Sequence, residues 1–227
     1  MLYLVLALFL LALILGPQVW VRHVMHRHAA DRPDLPGTGG ELARHLLDRY
    51  GLTSVDVEAI ATGGDHYDPG ARAVRLSPGN HDGRSITAVA VATHEVAHAI
   101  QHAQGSRLFA LRTRLARLLG TVDRIAMVML VTLPVVMIVA RVPVLGLVQF
   151  GAVVALLGLG VVVHLLTLPV EFDASFGKAL PILGSDGYLH PDDMPAARGV
   201  LRAAALTYVA ASLTGLLDFL RILRVIR

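Results

Sequence analysis

Apolar and polar positions along this chain fall into blocks. Residues 2–16 form an unbroken apolar run that continues through Pro17, Gln18, Val19 and Trp20. About 20 apolar residues span a bilayer. No basic residue precedes the run and no small-x-small cleavage site follows it, which favours an uncleaved membrane anchor over residues 1–20 rather than a signal peptide. Two further apolar blocks, 125–140 and 142–170, are separated by Arg141, Pro143 and Gly146 and predict a transmembrane hairpin. A soluble helical hairpin is the weaker alternative, because Thr132, Arg141 and Gln149 are nearly the only polar residues before His164. A last apolar stretch, 203–217, is short for a span and can instead lie in the interface or pack beside the hairpin.

Between the anchor and the hairpin the pattern changes to that of a folded polar part. Pro33, Pro36, Gly37, Gly39 and Gly40 read as a linker. Leu42, Leu46, Leu47 and Tyr50 recur at helical spacing from Glu41, and Gly51 ends the run. Val55, Val57 and Ala59 alternate with Asp56 and Glu58, as in a strand, and Val74 and Leu76 predict a second strand after the turn at Asp68-Pro69-Gly70. Ser85 is placed to cap a helix running to about Gln104, where Gly105 would stop it. Leu108, Leu111, Leu115, Leu118 and Leu119 alternate with Arg107, Arg112, Arg114 and Arg117 in a basic amphipathic helix suited to a membrane surface. The resulting division is an anchor (1–20), a catalytic part (21–121), a hairpin (122–168), a polar segment (169–200) and a C-terminal hydrophobic helix (201–227).

Composition sharpens this picture. The chain is 55% hydrophobic and 16% charged, more apolar and less charged than a soluble domain. It has no cysteine, which excludes disulfides, thiolate zinc sites and cysteine nucleophiles. A net charge of +3 makes no case for nucleic acid as a partner. The distribution matters more: 13 of the 20 basic residues lie between Arg22 and Arg124. By the positive-inside rule that part faces the cytoplasm.

The chemistry is concentrated in Thr93-His94-Glu95-Val96-Ala97-His98, an H-E-x-x-H sequence inside the predicted helix. Residues i and i+4 share one helix face, so His94 and His98 can converge on one zinc ion while Glu95 reaches a water beside it. A carboxylate there serves as general base. The chance alternative is a surface helix that happens to carry two histidines. His102 follows at i+8, about 12 Å further along the axis than His94, too far to bind the same ion. The longer metzincin pattern is absent, since Ile100 and Gln104 occupy its further positions.

Catalytic zinc takes three protein ligands, and Glu171 is the leading third candidate. Two spans separate it from His94, so the chain returns to the same face. On the residues alone, a ligand and a helix-capping interfacial glutamate are equal readings of Glu171; Glu41 and Glu58 are weaker candidates. In Asp65-His66-Tyr67-Asp68, either His66 or Tyr67 can donate to a developing oxyanion. Asp173 can orient a zinc-bound imidazole. Turn formation at Asp68-Pro69 and a helix start at Asp173 explain these residues equally well.

Five stretches together resemble a known family: Asp65-His66-Tyr67-Asp68-Pro69, Val74-Arg75-Leu76-Ser77, His94 through His102, Leu168 through Ser175, and Ala203 through Ala211. The chain is similar over most of its length to the YugP-like bacterial membrane-bound neutral zinc metallopeptidases. That resemblance implies a peptidase with one Zn2+ per chain, His94 and His98 as ligands and Glu95 as catalytic carboxylate. A glutamate after a helical hairpin also resembles the third ligand of HtpX-type and CAAX-prenyl-protease-type membrane peptidases. Those carry an aspartate four residues later, where this chain has Ser175, with Asp173 two residues after Glu171 instead. The expected fold is a mostly helical α+β membrane protein, with a zincin-like catalytic part containing a small sheet, plus transmembrane helices. The expected partners are a protein or peptide substrate, itself membrane-associated, and the lipid bilayer. The expected location is the bacterial cell membrane, with several passes. A helix placed inside the bilayer for intramembrane proteolysis fits less well, because Ser85, Thr87, Thr93, Glu95 and Gln101 make it too polar. A non-catalytic zinc-dependent membrane scaffold or chaperone is the competing function, and Glu95, which a purely structural metal does not need, argues against it.

Overall fold

The computed structural model describes residues 2–140, 143–185 and 187–225. Arg141, expected in the hairpin turn, and Arg227 lie outside them. The elements in chain order are α1 (Leu2–Arg27), α2 (Gly39–Arg49), β1 (Asp56–Ala59), β2 (His66–Asp68), β3 (Ala73–Leu76), α3 (Pro78–His81), α4 (Ile86–Ala103), α5 (Arg107–Ala140) and α6 (Pro143–Phe172). A π-helical stretch, Asp173–Ala179, continues α6 into α7 (Leu180–Ser185), and a short 3-10 turn at Pro191–Asp193 precedes α8 (Met194–Val225). The chain is thus mostly helical with one three-stranded sheet. It divides into two compact units.

The first unit comprises Val19–Ala110 and Leu168–Leu206. Its helix α2 starts with a capping box: Thr38 accepts from the Glu41 N–H, and the Glu41 carboxylate accepts from the Thr38 N–H at 2.7 Å. Leu46 and Leu47 on its inner face are fully buried. The strand order is β1-β3-β2, with β1 parallel and β2 antiparallel to β3. Tyr67 pairs with Val74, and burial alternates along β2, so His66 and Asp68 are half-buried while Tyr67 is buried. Strand β2, which is not predicted from its sequence, is an edge.

Helix α4 is the spine of this unit. Ser85 caps it by accepting the Ala88 N–H at 3.0 Å, and Gly105, at φ +64°, adopts the left-handed backbone that ends it. Every residue from Ile86 to Gln101 is buried, packed against α2, α3, β2, β3, the π-helical stretch and α7. A side chain on Gly39 would collide with the backbone carbonyls of Asn80 and Ala88, so this glycine permits the close approach of α2 to α4.

The second unit comprises Met1–Gln18, Leu111–Thr167 and Thr207–Arg227. Leu130 and Val153 are buried together between α5 and α6, with Met129, Phe150 and Leu157 around them. The Gln149 amide donates to Met129 O at 2.6 Å and to the Thr132 hydroxyl at 3.0 Å, so the polar residues of these helices satisfy one another. Val128, Val131, Val135, Leu147, Val148, Val162 and Leu166 are exposed. Among the described residues, two helices, Arg107–Met137 and Val144–Ser185, are long and apolar enough to cross a membrane. The basic amphipathic segment and the first hairpin helix, read from the pattern as separate elements, form the single helix α5. Between residues 107 and 133 there is no proline to interrupt it, and Gly120 is tolerated within a helix at a modest cost.

Candidate metal centre

Helix α4 places His94 and His98 on successive turns of one face, with ring centroids 4.7 Å apart and rings nearly perpendicular. Glu171 enters from the last turn of α6. Its Oε2 lies 3.4 Å from His94 Nε2 and 3.2 Å from His98 Nε2. All three side chains are buried, and their ligand atoms lie within 4.8 Å of one another.

The far side of each imidazole fixes its proton. Ser175 Oγ donates to Leu201 O at 2.9 Å, so it accepts from His94 Nδ1–H at 3.0 Å. The Gln101 amide nitrogen donates to Val170 O at 3.1 Å and to Asp173 Oδ2 at 2.8 Å. That sets the amide orientation and leaves Gln101 Oε1 to accept from His98 Nδ1–H at 2.9 Å. Both Nδ1 atoms therefore donate away from the cluster, and both Nε2 atoms face the Glu171 carboxylate. Two imidazole nitrogens and a carboxylate oxygen converging in a buried space form a group that could hold a cation. This donor set of two nitrogens and one oxygen suits zinc.

The π-helical stretch begins two residues after Glu171, and such wide turns recur at functional sites. It carries both Asp173, which reaches His98 through Gln101, and Ser175, which reaches His94 directly. At Gly177 a Cβ would meet Asp173 Oδ1 at 2.5 Å, so glycine leaves room for that carboxylate. Gln101 and Ser175 were not singled out by sequence reasoning as partners of the histidines. Their only traces are spacing: Gln101 stands three residues after His98, and Ser175 stands four after Glu171.

Glu95 is 6% exposed, and its Oε2 accepts the main-chain N–H of Tyr67 at 2.8 Å. The Tyr67 hydroxyl is 2.9 Å from His102 Nδ1, so His102 joins Tyr67 and not the ligand cluster. Burial raises the Tyr67 phenol above its usual pKa and keeps it neutral. The His66 ring bonds to Gly64 O at 2.7 Å. Asp68 accepts from the N–H groups of Ala71 and Gly70 and from Arg75, and these donors hold its carboxyl below the ordinary aspartate range. Glu41 and Glu58 are occupied elsewhere, the first in the α2 capping box and the second with Arg75 at 2.8 Å.

Among the described residues, a buried pair of histidines one helical turn apart and a carboxylate from a distant helix form a group that could hold a metal ion, with a further glutamate beside the first histidine. The chain belongs to the family described as "Putative neutral zinc metallopeptidase", whose profile matches residues 3–227. It is 35% identical over 233 aligned residues to "Putative membrane protease YugP" of Bacillus subtilis (strain 168), covering 97% of this chain and 95% of that relative. No solved structure matches it.

Proposed function

We propose that this chain is a membrane-anchored zinc endopeptidase that holds one Zn2+ through His94, His98 and Glu171 and uses Glu95 as its general base. The observation that carries the reading is the convergence of two imidazole Nε2 atoms on a buried carboxylate, with both Nδ1 protons committed to other acceptors. When bound, zinc supplies the Lewis acidity that acidifies water and polarises a scissile carbonyl. Glu95 takes the proton of the attacking water and returns it to the leaving amine. The Tyr67 N–H engages one of the two Glu95 oxygens. His66 and Tyr67 on β2 are the candidate donors to the oxyanion, and the edge of β2 suits an extended peptide, as in strand addition. Asp173 acts on His98 through Gln101.

The apolar exposed helices and the relative's name support a membrane location. We assign several passes, with the catalytic unit on the cytoplasmic side on account of its basic residues. The substrate is a protein or peptide at or near the bilayer.

Zinc content and turnover test the assignment together. The detergent-purified full chain should carry about one zinc. Glu171→Ala should lose it and Glu41→Ala should retain it. Glu95→Gln should keep zinc and lower casein cleavage by at least about 100-fold. A zinc-free wild type after metal supplementation, or full turnover by Glu95→Gln, would overturn the reading. Retained cellular function in Glu95→Gln but not in His94→Ala would identify a zinc-dependent scaffold.

A further inference from the structure

Tyr67 carries hydrogen bonds from β2 to α4 at two points. Its main-chain N–H meets Glu95, and its phenol meets His102. The two contacts stand seven residues apart on α4, two turns along the same face and about 10 Å of helix rise. Tyr67 therefore lies along the catalytic helix. Its ring is buried against Phe109 and His102, with centroids 6.1 and 5.8 Å away. The ends of β2 are held by other groups: Asp65 accepts from Ser77 and Asn80, and Asp68 accepts from Arg75. Those bonds fix the strand to β3 and its flanking turn, while the bonds made by Tyr67 set the distance between β2 and the helix that carries Glu95.

We propose that His102 is a positioning residue for the catalytic carboxylate: it clamps the Tyr67 phenol, and the clamped strand presents the Tyr67 N–H that orients Glu95. This rests on the peptidase reading of Glu95. It assigns Tyr67 to aligning the base and leaves His66 as the oxyanion donor. A buried carboxylate that must take and return a proton needs a fixed direction, and a misplacement of about 1 Å can cost about 100-fold in rate. A main-chain donor on a three-residue edge strand is rigid only as far as that strand is anchored. His102 provides the anchor from the same helix as Glu95, so base and anchor move as one body.

The test uses the detergent-purified, zinc-loaded full chain, with fluorescein-labelled casein as probe. The variants are His102→Phe, Tyr67→Phe, the double variant and His102→Asn. Phenylalanine keeps an aromatic ring against Phe109, whose centroid is now 5.5 Å away, and removes both ring nitrogens. Asparagine restores a polar atom near the position of Nδ1. Each single variant should lower kcat by about 10- to 100-fold with KM and zinc content unchanged. The double variant should be no worse than either single one, because both break the same link. His102→Asn should recover most of the rate. Amide exchange over residues 65–70 supplies a readout independent of turnover, and the Tyr67 amide should exchange faster in His102→Phe. A Tyr67→Phe loss far exceeding that of His102→Phe would show that the phenol acts on the reacting carbonyl and would overturn the proposal. So would unchanged Tyr67 protection in His102→Phe, or no recovery in His102→Asn. Loss of zinc from the wild type, or turnover by Glu95→Gln, would instead overturn the peptidase reading itself.

Discussion

The Ser175 hydroxyl gives its proton to Leu201 O and takes one from His94 Nδ1, which leaves no hydrogen-bonding ambiguity at a fully buried position. His98 reaches the same state by a longer route, through Gln101 to Asp173 and Val170 O. The two histidines thus present equivalent Nε2 atoms through unlike supports, one neutral and one ending in a carboxylate. Groups of this kind hold a ligand ring in its tautomer and orientation. Ser175→Ala should weaken zinc affinity by about 10-fold or more, measured by competition with a chelator, while leaving His98 and its partners in place. Unchanged affinity would mean that helix α4 alone orients His94.

At the scale of elements, α4 succeeds because local and tertiary demands agree. Its cap, its stop and its buried faces all point to one helix, and the H-E-x-x-H pair needs that helix to be continuous. The Ser85 cap is itself buried, so its loss leaves the Ala88 N–H without that acceptor. Ser85→Ala should destabilise the fold by about 1 kcal/mol, seen as a lower thermal midpoint of the zinc-free protein. A shift of zero would place the stability of α4 entirely in its packing. The α6 end is different in kind. Its continuation into a π-helical stretch spaces Glu171, Asp173 and Ser175 so that all three serve the histidines of α4, a requirement that residue spacing on a regular helix does not announce.

Taken as a whole molecule, the chain separates a unit with a polar buried site from a unit whose outer helix faces are apolar. Its lack of cysteine makes the proposed sidedness directly measurable. Thr62 lies in an exposed loop of the first unit, and Thr62→Cys introduces a single thiol there. A membrane-impermeant maleimide should label it only after cells are opened. Labelling in intact cells would place the catalytic unit outside. The arginines from Arg107 to Arg124 bear on the same question, because they occupy the N-terminal part of α5, within the candidate span Arg107–Met137.

The blocks of apolar sequence, the cap and stop of α4, the amphipathic α2 and the pair of histidines with Glu95 were all legible in the sequence. Each is a local pattern, with a period or spacing set by the helix or strand itself. Strand β2 was not legible, because three residues, His66-Tyr67-Asp68, are too few to show a period, and only pairing with β3 makes them a strand. The resemblance implied Glu171 as a ligand, while the residues alone left it equal to a capping glutamate; its approach to His94 and His98 depends on folding across more than 70 positions. The partners of the two imidazoles, Ser175 and Gln101 with Asp173, were decided by tertiary structure alone. Hydrogen bonds between distant side chains follow from where helices pack, and no spacing along the chain encodes that.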